Sequence, residues 1–120
     1  MTHPTANASR LGMSTKQTAR TYALNSIGPV VYAARMADGT IKFGHTSRLG
    51  RRLWDLAYRE QMKAELLAFR PGTYEDEQAL HQRLAPHLHH GREWYHPTSA
   101  VMSTVNEMRD GFGLPRLTVS

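Results

Sequence analysis

The stretch PVVYAARMADGTIKFGHT (29–46) constrains this chain more than any other. PVVYAARM (29–36) reads as a strand, ADGT (37–40) carries the Asp-Gly hairpin signal, and IKFGHT (41–46) is the partner strand. Ile41 and Phe43 alternate with Lys42 and Gly44. A glycine inside a strand implies that something approaches its backbone closely, or that the strand ends there. The register sets what meets what. A strict two-residue turn puts Tyr32 opposite His45, whereas one extra residue puts Lys42 on the face of Tyr32. Either way a phenol stands beside a basic side chain.

Beyond the hairpin, TSRLGRRLWDLAYRE (46–60) carries Leu49, Leu53, Leu56 and Ala57 at helical spacing, with Thr46 or Ser47 as the cap and Arg48, Arg51, Arg52 and Arg59 on its other faces. AELLAFR (64–70) is a third strand, closed by Pro71-Gly72. Thr73 caps a second helix whose first turn is acidic, as suits the helix dipole, and Pro86 ends or kinks it. GREWYH (91–96) is extended. Thr98 or Ser99 caps a last helix with Val101, Val105 and Met108, stopped by Gly111. The expected fold is therefore a small α+β (α/β) domain over 28–112, with helices flanking a three-stranded, mainly antiparallel sheet. Residues 1–27 read as a polar, basic, flexible tail, with 18–28 either a short helix or an arm on the domain, and 113–120 as a loosely attached tail.

With 120 residues the chain fits one domain, and a net charge of +5 with a pI near 10.0 favours a polyanionic partner, nucleic acid before an anionic membrane. There is no cysteine, so disulfides and thiolate zinc sites are excluded. No apolar stretch reaches the length of a membrane span, and MTHPTANASR has no signal-peptide core, so a cytoplasmic, soluble protein with no membrane partner is expected. His87, His89, His90 and His96 lack both cysteine partners and helical i, i+4 spacing, so a structural zinc site is not expected there. Trp94 and Tyr95 read as core or sheet-edge anchors, with base stacking as the alternative.

Three residues sit oddly in a plain core. Glu77 lies three before Leu80 on the apolar stripe of the second helix, as a capping acid or as a ligand. Arg52 borders the Leu49/Leu53/Leu56 stripe, where it snorkels or aims at a phosphate. Tyr32 is mid-strand, a sheet filler or a functional phenol.

Taken in order, VVY (30–32), KFGHT (42–46), RRL (51–53), EQALH (77–81) and GREWY (91–95) resemble the GIY-YIG nuclease superfamily, in particular the compact phage and bacterial branch with a meiotically up-regulated gene 113 type domain. The likeness spans about Gly28–Pro97. It implies a divalent-metal-dependent DNA endonuclease of low sequence specificity. In it Tyr32 activates or orients water, Arg52 stabilises the scissile phosphate, and Glu77 holds Mg²⁺, with Mn²⁺ able to substitute. VVY stands where the family has GIY, and Lys42 stands where the family has its second tyrosine, a point charge for phosphate rather than a phenol. His45 is then the candidate for a second base, Gly44 lets substrate or the helix start approach, and His81 is a supporting or packing residue. Arg48 and Arg51, with Lys42, are the expected DNA contacts, and Arg10, Lys16 and Arg20 of the tail add nonspecific phosphate contacts. A partner protein or a homodimer is expected to supply specificity. The rival expectation is a nucleic-acid-binding module of the same fold whose nuclease activity has faded.

Overall fold

The computed structural model describes residues 23–59, 63–91 and 93–118. Strand β1 (Val30–Met36) and strand β2 (Ile41–Thr46) form the hairpin, but through three loop residues rather than two. Met36 N donates to Thr40 O at 2.8 Å, and Gly39 N donates to Met36 O at 2.9 Å. Gly39 closes the turn at φ +88°, a left-handed conformation natural to glycine. Asp38 Oδ1 accepts from both Thr40 N and Thr40 Oγ1. Tyr32 therefore lies opposite Gly44, and Val31 opposite His45. Even-numbered residues of the hairpin share one face and odd-numbered residues the other.

Strand β3 (Ala64–Pro71) pairs antiparallel with the other edge of β1, with a bulge between Ala33 and Ala34. The sheet does not stop at three strands. After helix α2 (Tyr74–Leu84) and a 3₁₀ turn over Ala85–His87, the chain adds β4 (Leu88–His90) and β5 (Trp94–Tyr95), giving the antiparallel order β3-β1-β2-β5-β4. The expected count of three strands is thus corrected to five. β4 and β5 are three and two residues long, and β4 is exposed throughout, so neither shows the alternation that marks a strand.

The sheet is covered on both faces. Val31, Ala33, Ile41 and Phe43 pack with Leu80 and Leu84 of α2 and with Val101, Val105 and Met108 of the last helix, α3 (Ser99–Asp110). On the other face Val30, Tyr32, Ala34 and Met36 pack with Leu49 of helix α1 (Leu49–Trp54) and with Leu24 and Leu53. That explains the near-continuous apolar reading of β1. Burying each such Leu or Val fully is worth about 1.5–3 kcal/mol.

α1 is shorter than the helix expected over 46–60. It begins with Arg48 at the cap position, whose side chain makes no capping bond, while Thr46 Oγ1 accepts from Arg48 N at 3.0 Å. After Trp54 the coil widens into π-type turns over Asp55–Arg59. Thr73 caps α2 in a full capping box whose acid is Asp76, and Thr98 caps α3.

The ends of the domain are also tied down. Within the segment read as a tail or an arm, Leu24 packs on the core and Asn25 Oδ1 accepts from Arg51 N at 2.9 Å. The tail residues Arg10, Lys16 and Arg20 lie outside the described residues. The C-terminal stretch is not loosely attached up to residue 118. Asn106, 3 % exposed, clamps Leu117 through both N and O, and Arg109 Nε donates to Pro115 O at 2.6 Å. Pro115 and Leu117 hid this docking, because neither belongs to a periodic pattern.

Candidate functional site

The site grows from the parity of the hairpin. Tyr32 is 1 % exposed and its ring lies over Gly44. A Cβ at residue 44 would stand 2.6 Å from Tyr32 Oη and 2.7 Å from Cζ, so only glycine admits the phenol in this position. Arg52, half-buried on α1, donates from Nε to Tyr32 Oη at 3.3 Å. The phenol oxygen is an acceptor in that bond, which leaves its own hydrogen free to be directed elsewhere. Burial raises the Tyr32 pKa above the ordinary tyrosine value, and Glu93 and Glu77 push it the same way while Arg52 opposes them. The phenol is therefore protonated at neutral pH.

Lys42 shares the face of Tyr32, but not as a phosphate contact. Its side chain is 1 % exposed, its ammonium is hydrogen-bonded to Glu93 Oε2, and it sits 4.2 Å above the Trp94 ring. The expected DNA contact is corrected to an internal counter-ion. The cause is β5, whose pairing sets Trp94 opposite Lys42 and brings Glu93 beside it. His45 is corrected as well. Pairing with Val31 puts it on the opposite face from Tyr32, near enough to Asp76 to help lower that acid's pKa behind the hydrogen bonds from Thr73.

Glu77 is buried, and its capping reading falls away because Asp76 does the capping. Its Oε1 lies 3.1 Å from His81 Nε2, one turn along α2, and His81 Nδ1 is hydrogen-bonded to Tyr95 Oη. The imidazole stacks on the Tyr95 ring with centroids 5.6 Å apart. Tyr95 is buried and its pKa is pushed up to about 12 by that burial, with Glu93 and Glu77 adding to it. One donor atom each from Glu77, His81 and Glu93 lies within 4.8 Å of the others. Two carboxylates and an imidazole at this spacing suit a divalent cation taking mixed oxygen and nitrogen ligands.

Glu93 is not singled out by any motif in the sequence, although a signal for it exists. It is an acid directly before an aromatic pair, in a segment that pairs with a strand carrying a mid-strand lysine. Arg48 and Arg51 are exposed on α1, Arg51 with Nε 3.2 Å from Asp55 Oδ1. A cleft of about 460 Å³ opens beside Glu77, His81 and Glu93, with Tyr74, Gln78 and Gln82 along one wall. Of the other histidines, His87 Nδ1 is 3.0 Å from Thr98 Oγ1, and the His89 ring packs edge-on against His90 and His96. The residues suited to a metal among those described are Glu77, His81 and Glu93 instead. Among the described residues no helix is long and apolar enough to cross a membrane. No family model, curated protein or solved structure matches the chain.

Proposed function

We propose that this chain is a divalent-metal-dependent DNA endonuclease of the GIY-YIG kind, cutting phosphodiester bonds with little sequence preference of its own. The observation that carries the reading is the joining of Tyr32 Oη to Arg52 Nε over Gly44, with buried Glu77 close enough to oppose the ionisation of the phenol. Phosphodiester hydrolysis needs charge neutralisation on the phosphoryl oxygens, a positioned water and a stabilised leaving oxygen. Arg52 supplies a fixed cation that faces phosphate well. Tyr32, buried and kept protonated, accepts from Arg52 Nε and so positions the guanidinium rather than acting as a base.

Glu77, Glu93 and His81 would hold the cation, and their donor set fits Mg²⁺ with two carboxylates, or Mn²⁺ with the nitrogen included. When bound, the cation supplies Lewis-acid stabilisation of the phosphoryl and leaving oxygens. Tyr95 orients His81 through Nδ1 and Lys42 orients Glu93, so two of the three would-be ligands are held from behind, and His81 Nε2 would face the cation in place of its hydrogen bond to Glu77 Oε1. Arg48 and Arg51 offer exposed charge for the DNA backbone, and the net charge of +5 attracts it.

A second reading has one observation in its favour. With Lys42 tied to Glu93 and His45 on the far face, neither candidate base accompanies Tyr32, as a DNA-binding module with faded activity would have it. Plasmid nicking at low salt with Mg²⁺ or Mn²⁺, wild type beside Glu77→Ala, separates the two. Metal-dependent nicking lost in the variant supports the nuclease; DNA binding by both proteins without nicking supports the module.

A further inference from the structure

The cleft beside Glu77 carries a chemistry that phosphodiester hydrolysis does not use. Tyr74, Gln78 and Gln82 recur at i, i+4 and i+8 on α2, forming one stripe along the cleft, with Leu88 and Gly91 across from them. The core stripe of α2 runs through Leu80 and Leu84 instead, and Tyr74 is 59 % exposed, so folding does not call for a phenol there.

No Lys or Arg is among the described residues that line the cleft, and Glu77 and Glu93 stand at its inner end. Away from the would-be cation ligands, the stretch formed by Tyr74, Gln78 and Gln82 carries no charge and accepts a flat, neutral group with hydrogen-bonding edges. An exposed phenol is a stacking platform. A glutamine carboxamide presents a donor and an acceptor side by side, the pairing that suits the edge of adenine. The volume, about 460 Å³, lies within the range of small-molecule sites, and a base can enter such a cleft only when it is out of its stack.

From this lining we infer that the cleft binds one unpaired nucleobase, stacked on Tyr74 and read by Gln78 and Gln82. Taken with the nuclease reading on which this step rests, it makes the preferred substrate a nucleic acid with an unpaired nucleotide next to the scissile phosphate: single-stranded, gapped or flapped.

The test uses adenosine, which has no phosphate and so does not depend on Arg52 or on a metal. The full chain, labelled with ¹⁵N, is titrated while the side-chain amide signals of Gln78 and Gln82 are followed. Saturable shifts of both are expected, weakened about tenfold or more in Tyr74→Ala and recovered in Tyr74→Trp, as loss of one stacked base implies. Because Tyr74 is exposed, an unchanged backbone spectrum confirms that each variant is folded. Amides that stay still up to the solubility limit of adenosine overturn the proposal, as does a response to spermidine alone, which would make this a cation site read by Glu77 and Glu93. The two readings fail separately. Adenosine binding in a protein that nicks no DNA under any divalent metal keeps the cleft and removes the nuclease, whereas nicking without an adenosine response does the reverse.

Discussion

Replacing Glu93 with alanine leaves the Lys42 ammonium 1 % exposed and without its carboxylate, while replacing Lys42 with methionine leaves a carboxylate that is already 33 % exposed. The two ends of one ion pair should therefore behave very differently. Breaking a buried pair by removing one partner costs about 3–5 kcal/mol. The exposed Glu93 end lets water in and screens the pair, so about 2–3 kcal/mol is the better expectation for Glu93→Ala. Methionine keeps most of the lysine stem against Trp94 and removes the buried charge, while Glu93 rehydrates. Lys42→Met should then cost about 1 kcal/mol or less, mostly the lost cation–π contact. The double variant should be more stable than Glu93→Ala alone, because the orphaned ammonium is gone. For a domain of this size each kcal/mol moves Tm by about 5 °C, so Glu93→Ala should melt about 10–15 °C below wild type and Lys42→Met about 5 °C below at most. Circular dichroism melts at neutral pH without added metal measure all four proteins. Equal losses for the two single variants, or a double variant no better than Glu93→Ala, would refute the argument that Lys42 is a buried cation held by Glu93.

Gly44→Ala should destabilise by about 1–3 kcal/mol through overpacking against Tyr32 and abolish nicking, and a melt alongside the plasmid assay separates the two effects. Stability should fall between about pH 10 and 12. The folded-state pKa of Tyr95 is raised to about 12 and that of Tyr32 is raised too, so their contribution is complete below the unfolded value near 10 and is lost as pH climbs through the folded one. Urea melts across that range should show a shallower alkaline decline in Tyr95→Phe. Ending the chain before Pro115 strands the buried Asn106 amide and should cost about 1–3 kcal/mol, read as a lower urea midpoint; an unchanged midpoint would mean that the segment does not contribute.

Much of the framework was legible in the residues. Asp38-Gly39 announced the hairpin, Thr73 and Thr98 their helix caps, and Gly44 a close approach that turned out to be the Tyr32 ring. Glu77 stood out because it interrupts an apolar stripe, and it is buried as that placement required. Other features depended on contacts between distant segments, which no local pattern encodes. Lys42 looks like a surface cation until β5 sets Trp94 opposite it, and β5 is too short to declare itself. His45 could be assigned to a face only after the loop length was known, since two residues or three are equally compatible with an Asp-Gly turn.

That three-residue loop decides more than the shape of a turn. Side chains alternate strictly along a strand, so whether the loop count is odd or even sets which half of β2 faces Tyr32 and Arg52 and which half faces α2. Removing a single residue from 37–39 would ask Lys42 and Gly44 to enter the layer under α2 and send Ile41 and Phe43 to the side of Arg52, exchanging the two faces of β2 in one step. Removing one residue and adding one elsewhere in the loop would keep the parity, provided the position of Gly39 keeps a residue that tolerates its left-handed backbone. In diverging copies of this chain, then, the turn is free to change its letters far more readily than its length.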